Sequence, residues 1–339
     1  MAKRALVLGI GGGGDAVSGI VVKKYLERMG YDVILGAVIW ERFVVDPIPG
    51  PVCAEDLINY KPYSRSLYWV NGDTEAVRGE KARAIVPQLS RVLKVLGERG
   101  LGVCVRWAPQ SLAEELRQFA EDYRVEKIVG VDAGGDVLAK GCEPTLGSPL
   151  IDFAMLLTLE ALERDLNAEL AVMGLGSDGE LDPNYLLERV SEVASKGGLT
   201  DIKGYDEESY MTVGKVLELT ETEASKLPWL AFKGFYGPYT LRGGLRKVNV
   251  SPLMAIAFFM KPSVVGSTSP LYQALKGSRD LEEVRKKMNE LGIFTEYDLE
   301  IELFRLTNYG RRKANWNDVI KAREIGRNRL GPLKLKCAD

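Results

Sequence analysis

In this 339-residue chain, acidic residues accompany glycines in three short stretches. The first is Gly11-Gly12-Gly13-Gly14-Asp15. The second is Asp132-Ala133-Gly134-Gly135-Asp136, followed by Glu143 and by Gly147-Ser148-Pro149-Leu150-Ile151-Asp152. The third is Gly176-Ser177-Asp178-Gly179. Glycine lets a backbone approach a ligand closely. Carboxylates gathered in one place repel one another and stay ionised together only beside a cation or with a shared proton. Hard oxygen ligands of this kind suit Mg²⁺, Mn²⁺ or Ca²⁺. Asp15, Asp132 and Asp136 are therefore the candidate metal ligands, and a divalent cation, Mg²⁺ or Mn²⁺, is the expected cofactor. Glu143 or Asp178 would serve as general base, its pKa raised by burial or by neighbours.

The backbone N–H groups of Gly11, Gly12, Gly13 and Gly14 form a candidate phosphate cradle, with Gly134 and Gly135 approaching the same ligand. Asp15 beside that cradle would oppose an anion unless a cation screened it. Plainer uses exist for the same residues. Asp15 suits a helix cap, Asp132, Asp136 and Asp178 suit turns, and Asp152 suits the first turn of a helix. Positive charge comes from Lys233 to Lys247, where Arg242 and Arg246 stand among glycines and aromatics. Those arginines would offset negative charge on a phosphate or carboxylate.

The surrounding pattern supplies elements to position these residues. Residues 4 to 8 form an apolar run, as in a buried parallel strand, and Asp15 to Met29 has helical spacing stopped by Gly30. Further strands are expected at Val33–Trp40, Ser66–Val70, Gly102–Arg106, Glu126–Val131 and Ala168–Gly174. Helices are expected at Lys81–Arg99, from a Ser111 cap to Tyr123, at 149–165 and at Pro183–Ser195. Late strands fall at Lys247–Val250 and Ala255–Met260, then helices at about 269–276 and 280–291, then a basic tail. The proline-rich stretch 46–62 reads as a loop over the strand ends. Strands alternating with helices predict an α/β fold: a doubly wound, mainly parallel, Rossmann-like sheet with helices on both faces. The whole of 1–339 reads as one domain, with a helical insertion or cap at about 184–240. Ligands of such sheets bind beyond the carboxyl ends of the strands, where the strand order reverses. Both glycine–acid loops should open there.

Composition narrows the function. Apolar residues make up 46% and charged residues 27%, the net charge is −2, and no apolar stretch is long enough for a membrane span. These values speak against nucleic-acid and membrane partners and for a small-molecule ligand, a phosphate or nucleotide, with homo-oligomers left open. No signal peptide is read at the N-terminus, and Cys53, Cys104, Cys142 and Cys337 form no CxxC pair, so a reducing cytoplasm is expected. The chain has no histidine, which removes Ser-His-Asp, Cys-His and HExxH chemistry. Few glutamines beside many Glu, Arg and Lys suit a thermophile.

Taken together, Gly11 to Asp15, the Asp132–Asp136 loop with Gly147-Ser148-Pro149, and Arg242-Gly-Gly-Leu-Arg246 with Asn249-Val250-Ser251-Pro252 resemble the mostly archaeal family of domain of unknown function 1152. The resemblance covers nearly the whole chain and implies a cytoplasmic α/β protein with no established activity. The Asp132–Asp136 loop is also similar, over a few residues, to glycine–acid loops of D-glutamate cyclase and of the metal-dependent phosphatases of the family of unknown function 89. The leading expectation is a metal-dependent hydrolase, lyase or transferase acting on a phosphorylated or nucleotide-like metabolite. One alternative is an NAD(P)-binding oxidoreductase. Gly9-x-Gly11-x-x-Gly14 matches that fingerprint, but Glu41 lies 27 residues beyond Gly14, where about 20 are expected. Another is a non-enzymatic nucleotide- or metabolite-binding module.

Overall fold

The computed structural model describes residues 3–79 and 83–337. The elements begin with β1 (Lys3–Gly9), α1 (Asp15–Arg28) and β2 (Tyr31–Val38). Five short strands follow: β3 (Leu57–Ile58), β4 (Lys61–Pro62), β5 (Leu67–Val70), β6 (Glu75–Arg78) and β7 (Arg83–Ile85). Then come α2 (Gln88–Leu96), β8 (Gly100–Val103), α3 (Gln110–Tyr123), β9 (Val125–Ala133), α4 (Pro149–Glu163) and β10 (Asn167–Met173). The next group is α5 (Pro183–Ser195), β11 (Leu199–Gly204), α6 (Glu207–Leu217), α7 (Lys226–Phe232), β12 (Gly237–Leu241), β13 (Arg246–Val250) and β14 (Ile256–Met260). Five helices complete the chain: α8 (Pro262–Ser267), α9 (Pro270–Leu275), α10 (Leu281–Glu290), α11 (Glu296–Leu306) and α12 (Trp316–Leu330).

Among the described residues, nine strands form one sheet in the order β11-β14-β10-β9-β1-β2-β8-β5-β4. The centre, from β10 to β8, is parallel; β14 and β5 join it antiparallel. From β1 the chain winds outward through β2 to β8, then returns to β9 on the other side of β1. The order thus reverses between β1 and β9, and their carboxyl ends flank a crevice. Period-two alternation along β1 feeds a core on each face. Leu6, Leu8 and Ile10 belong to the core that holds Phe119 of α3 and Phe153 of α4. Ala5 and Val7 belong to the core with Ile20 of α1 and Val92 of α2. Helix α4 is buried almost all round, as a helix apolar on every side must be.

Several expectations are corrected. The helix expected at Lys81–Arg99 starts only at Gln88, because Ile85 belongs to β7 and Pro87 precedes the first turn; Lys81 lies outside the described residues. Ser111 does not cap α3, which begins one residue earlier after Pro109. The stretch 184–240 is not only helical: β11 completes an edge of the main sheet. The expected basic tail is instead the helix pair α11 and α12. All four cysteines pair, Cys53 with Cys104 and Cys142 with Cys337, at Cα separations of 5.1 and 5.5 Å that suit a disulfide. The four cysteines are thus not free thiols, and paired cysteines of this kind also occur in intracellular proteins of hyperthermophiles. Among the described residues no helix is long and apolar enough to cross a membrane.

Candidate functional site

Strand pairing builds the site. Gly9 stands opposite Val131, and the Ile10 N–H donates to the Val131 carbonyl at 2.9 Å. The loops after β1 and β9 therefore leave the sheet side by side. Asp15 opens α1, but its carboxylate turns back and accepts the Gly11 N–H at 2.7 Å. Asp132 accepts the Gly135 N–H at 3.1 Å. Asp152 arrives from the first turn of α4. Ligand oxygens of Asp15, Asp132 and Asp152 lie within 4.8 Å of one another, and all three residues are buried. A Cβ on Gly11 would sit 2.7 Å from both Asp15 Oδ2 and Asp152 Oδ1, and 3.4 Å from Asp132 Oδ1. Glycine is required there because three carboxylates point at it. Asp152 Oδ1 is buried without a hydrogen-bond partner among the described residues.

A second buried acidic group adjoins the first: oxygens of Asp136, Asp178 and Glu180 also lie within 4.8 Å of one another. The Ser148 hydroxyl lies 3.0 Å from Asp136 Oδ2 and from Glu180 Oε1, and the Glu180 N–H donates to Asp178 Oδ1 at 3.0 Å. Gly134, at φ +132°, leaves room for Asp178, whose Cγ lies 2.9 Å from where a Cβ would stand. Glu180 also accepts the Gly147 N–H at 2.6 Å and a bond from Arg242 at 3.1 Å, with Arg246 at 3.5 Å. Asp136 Oδ1 is a second buried oxygen without a hydrogen-bond partner among the described residues. Native proteins rarely leave such atoms without a bonding group, so one in each of two adjoining acidic groups calls for a ligand or a proton.

The electrostatics follow from this crowding. Burial, more than any neighbour, pushes Asp15 up to about 7 and Asp178 up to about 6. Burial and then the adjoining carboxylates hold Asp132, Asp136 and Asp152 well above the ordinary aspartate range. Glu180 behaves oppositely. Burial raises it, but Arg242 and Arg246 outweigh that and hold it below the usual range. Burial, then the cations Arg246 and Arg242, bring Arg323 down to about 10 despite Glu180.

Both acidic groups open into a cavity of about 990 Å³. Among the residues singled out from sequence, Gly11, Gly12, Gly13, Gly14, Asp15, Asp132, Asp136, Asp178, Arg242 and Arg246 line it. Glu143 does not. Its carboxylate accepts the N–H groups of Lys140 and Gly141 at 2.7 and 2.8 Å and the Tyr185 hydroxyl, which corrects its reading as a general base. Gly134 and Gly135 are also absent from the lining; they shape the loop under Asp178 and Leu186. The glycine loop spends two of its four donors inward, Gly11 on Asp15 and Gly13 on the Trp40 carbonyl at 3.3 Å. Sequence reasoning missed Glu180, Arg42, Trp316 and Arg323, all on the cavity. Glu180 follows Asp178 by two residues and could have been weighed with it; Arg323 gave no local signal.

The model of the family described as "Protein of unknown function (DUF1152)" matches residues 6–304. The chain belongs to this family. The matched segment holds both glycine–acid loops, Asp152, Glu180 and the Arg242–Arg246 turn, while α12 with Trp316 and Arg323 lies beyond it. No curated protein matches the chain.

Proposed function

We propose that this protein is a divalent-cation-dependent enzyme acting on a phosphorylated small molecule in the crevice between β1 and β9. The observation that carries the reading is the buried, unpartnered Asp152 Oδ1, aimed with Asp15 and Asp132 at one point above Gly11. Three carboxylates so placed are all-oxygen ligands for Mg²⁺ or Mn²⁺. A bound ion would polarise a phosphoryl oxygen or an attacking water. Asp178, between the acids and the arginines, takes the proton of the attacking water or hydroxyl. Arg242 and Arg246, with Arg323, hold the phosphate and offset charge as it develops. This moves the phosphate from the glycine loop, whose donors are partly spent, to the arginines. The reversal of strand order between β1 and β9 supports a Rossmann-like description of the fold. A dinucleotide reading has less support, because the Glu41 carboxylate packs against Gly13 and accepts the Gln88 N–H at 2.9 Å.

Titration calorimetry with Mn²⁺ and Mg²⁺ tests the reading. Saturable binding is expected, weakened at least tenfold in a folded Asp132→Asn/Asp152→Asn variant, and turnover of phosphorylated metabolites should require the ion. Absence of ion binding, with and without inorganic phosphate, would overturn it. Tight ligand binding without turnover would instead mark a binding module.

A further inference from the structure

The cavity has an apolar wall that the chemistry above does not use. Phe43 and Val44 contribute to it from the loop after β2, Leu299 from α11, and Trp316, Val319 and Ile320 from α12. Val44 and Ile320 are 40% and 44% exposed. Phe43 and Trp316 lie edge to face, with centroids 5.9 Å apart and planes at 84°. This wall is joined to the cationic end in two ways. Gly243, at φ +62°, packs so closely on the indole that any Cβ would overlap Nε1 and Cδ1, and its neighbour is Arg242. On α12, Trp316, Ile320, Arg323 and Arg327 all reach the cavity, at the spacing of one helix face. Along that face, ring and guanidinium positions are separated by roughly 10 Å at 1.5 Å per residue. That span suits a phosphate separated from a flat ring by a sugar.

We propose that this wall is a subsite for a planar heteroaromatic ring and that the ligand of the site is a nucleotide. Its base lies against Phe43 and Trp316, and its phosphate meets Arg242, Arg246 and Arg323. This rests on the reading of the crevice as a phosphate site. Aromatic side chains recognise any base by its π-face, and a cavity of about 990 Å³ is at the upper end of small-molecule sites, ample for a nucleotide. An alkyl phosphate is the competing occupant, since Leu217, Leu241 and Leu245 also line the cavity; the edge-to-face pair of rings favours a planar base over a flexible chain.

The test is competitive binding to the full chain in saturating Mn²⁺, with inorganic phosphate, ribose 5-phosphate, AMP and octyl phosphate as probes. AMP should bind at least tenfold tighter than ribose 5-phosphate and tighter than octyl phosphate. Trp316→Ala should bring the ratio of AMP to ribose 5-phosphate affinity down to about one, and Trp316→Phe should keep most of it. Ile320→Asp, on an exposed position where folding is not at stake, should lower the same ratio. If ribose 5-phosphate or octyl phosphate binds as tightly as AMP, the ring subsite is refuted while the phosphate reading stands. If no phosphate binds at all, both fall together.

Discussion

At the scale of single residues, the site is a contest between charge and space. Gly11 keeps ordinary backbone angles, so its lack of a side chain serves the carboxylates that crowd it rather than the chain's conformation. Alanine at Gly11 would be accepted by the backbone, but its methyl would press on Asp15 Oδ2 and Asp152 Oδ1, each 2.7 Å away. Those oxygens must part. Gly11→Ala should therefore melt within a few degrees of the parent and bind Mn²⁺ at least tenfold more weakly, read by calorimetry and thermal shift. Unchanged ion affinity would mean that the three carboxylates do not act on one ion. The same logic explains Gly134, where glycine both adopts φ +132° and clears Asp178. A glycine beside an acid signals a crowded carboxylate as readily as a phosphate cradle, which is why sequence alone placed the phosphate at the first loop.

At the scale of elements, the site depends on a helix that local sequence signals did not reveal. The first turn of α4 carries Asp152, yet Ser148 makes no cap, because its hydroxyl is engaged with Asp136 and Glu180. The cap comes instead from α11: Glu296 accepts the N–H groups of Leu150 and Ile151 at 3.0 and 2.9 Å. Four acids of α11 are buried, and each has a partner on another element. Glu300, for example, accepts Trp40 Nε1 at 2.8 Å and the Gly50 N–H at 3.0 Å. An acid-rich helix normally reads as a solvated face, and nothing in its own spacing says that its charges turn inward. Its start carries one local signal that the sequence reading passed over: Thr295 and Asp298 form a capping box. By contrast, β1, β9, α4 and α5 announce themselves through local apolar runs and prolines, and with them the meeting of the two acid loops. Glu296→Ala strips the cap and leaves two buried donors unpaired, a loss of roughly 1–3 kcal/mol in urea unfolding. Ion affinity should fall with it as the first turn loosens around Asp152. A stability loss with full ion binding would show that the cap and the site are independent.

At the scale of the whole molecule, the buried acids set how stability responds to pH. Glu41 and Glu300, like Asp15, are pushed up to about 7, chiefly by burial, and Asp178 to about 6. In the unfolded chain these groups lose their protons near pH 4. Between about pH 4 and 7 the folded protein thus holds more protons than the unfolded one, and stability falls as pH rises. For Glu41 alone, a shift from 4.5 to about 7 corresponds to at most roughly 3–4 kcal/mol at about 1.4 kcal/mol per pH unit. Glu180 has the opposite sign: held low by Arg242 and Arg246, it contributes stability that is lost only in strong acid, outside this window. A divalent ion bound by Asp15, Asp132 and Asp152 would displace their protons and stabilise the folded state by mass action, most strongly where those protons are already leaving. In EDTA the melting temperature should therefore be higher at pH 5.5 than at pH 8, and Mn²⁺ should raise it more at pH 8 than at pH 5.5. Glu41→Gln keeps the acceptor for Gln88 and removes the charge, so its profile in EDTA should be flatter than the parent's. A profile that instead rises with pH in EDTA would mean that the folded protein does not retain these protons, and that its carboxylates are ionised and compensated by protein groups alone.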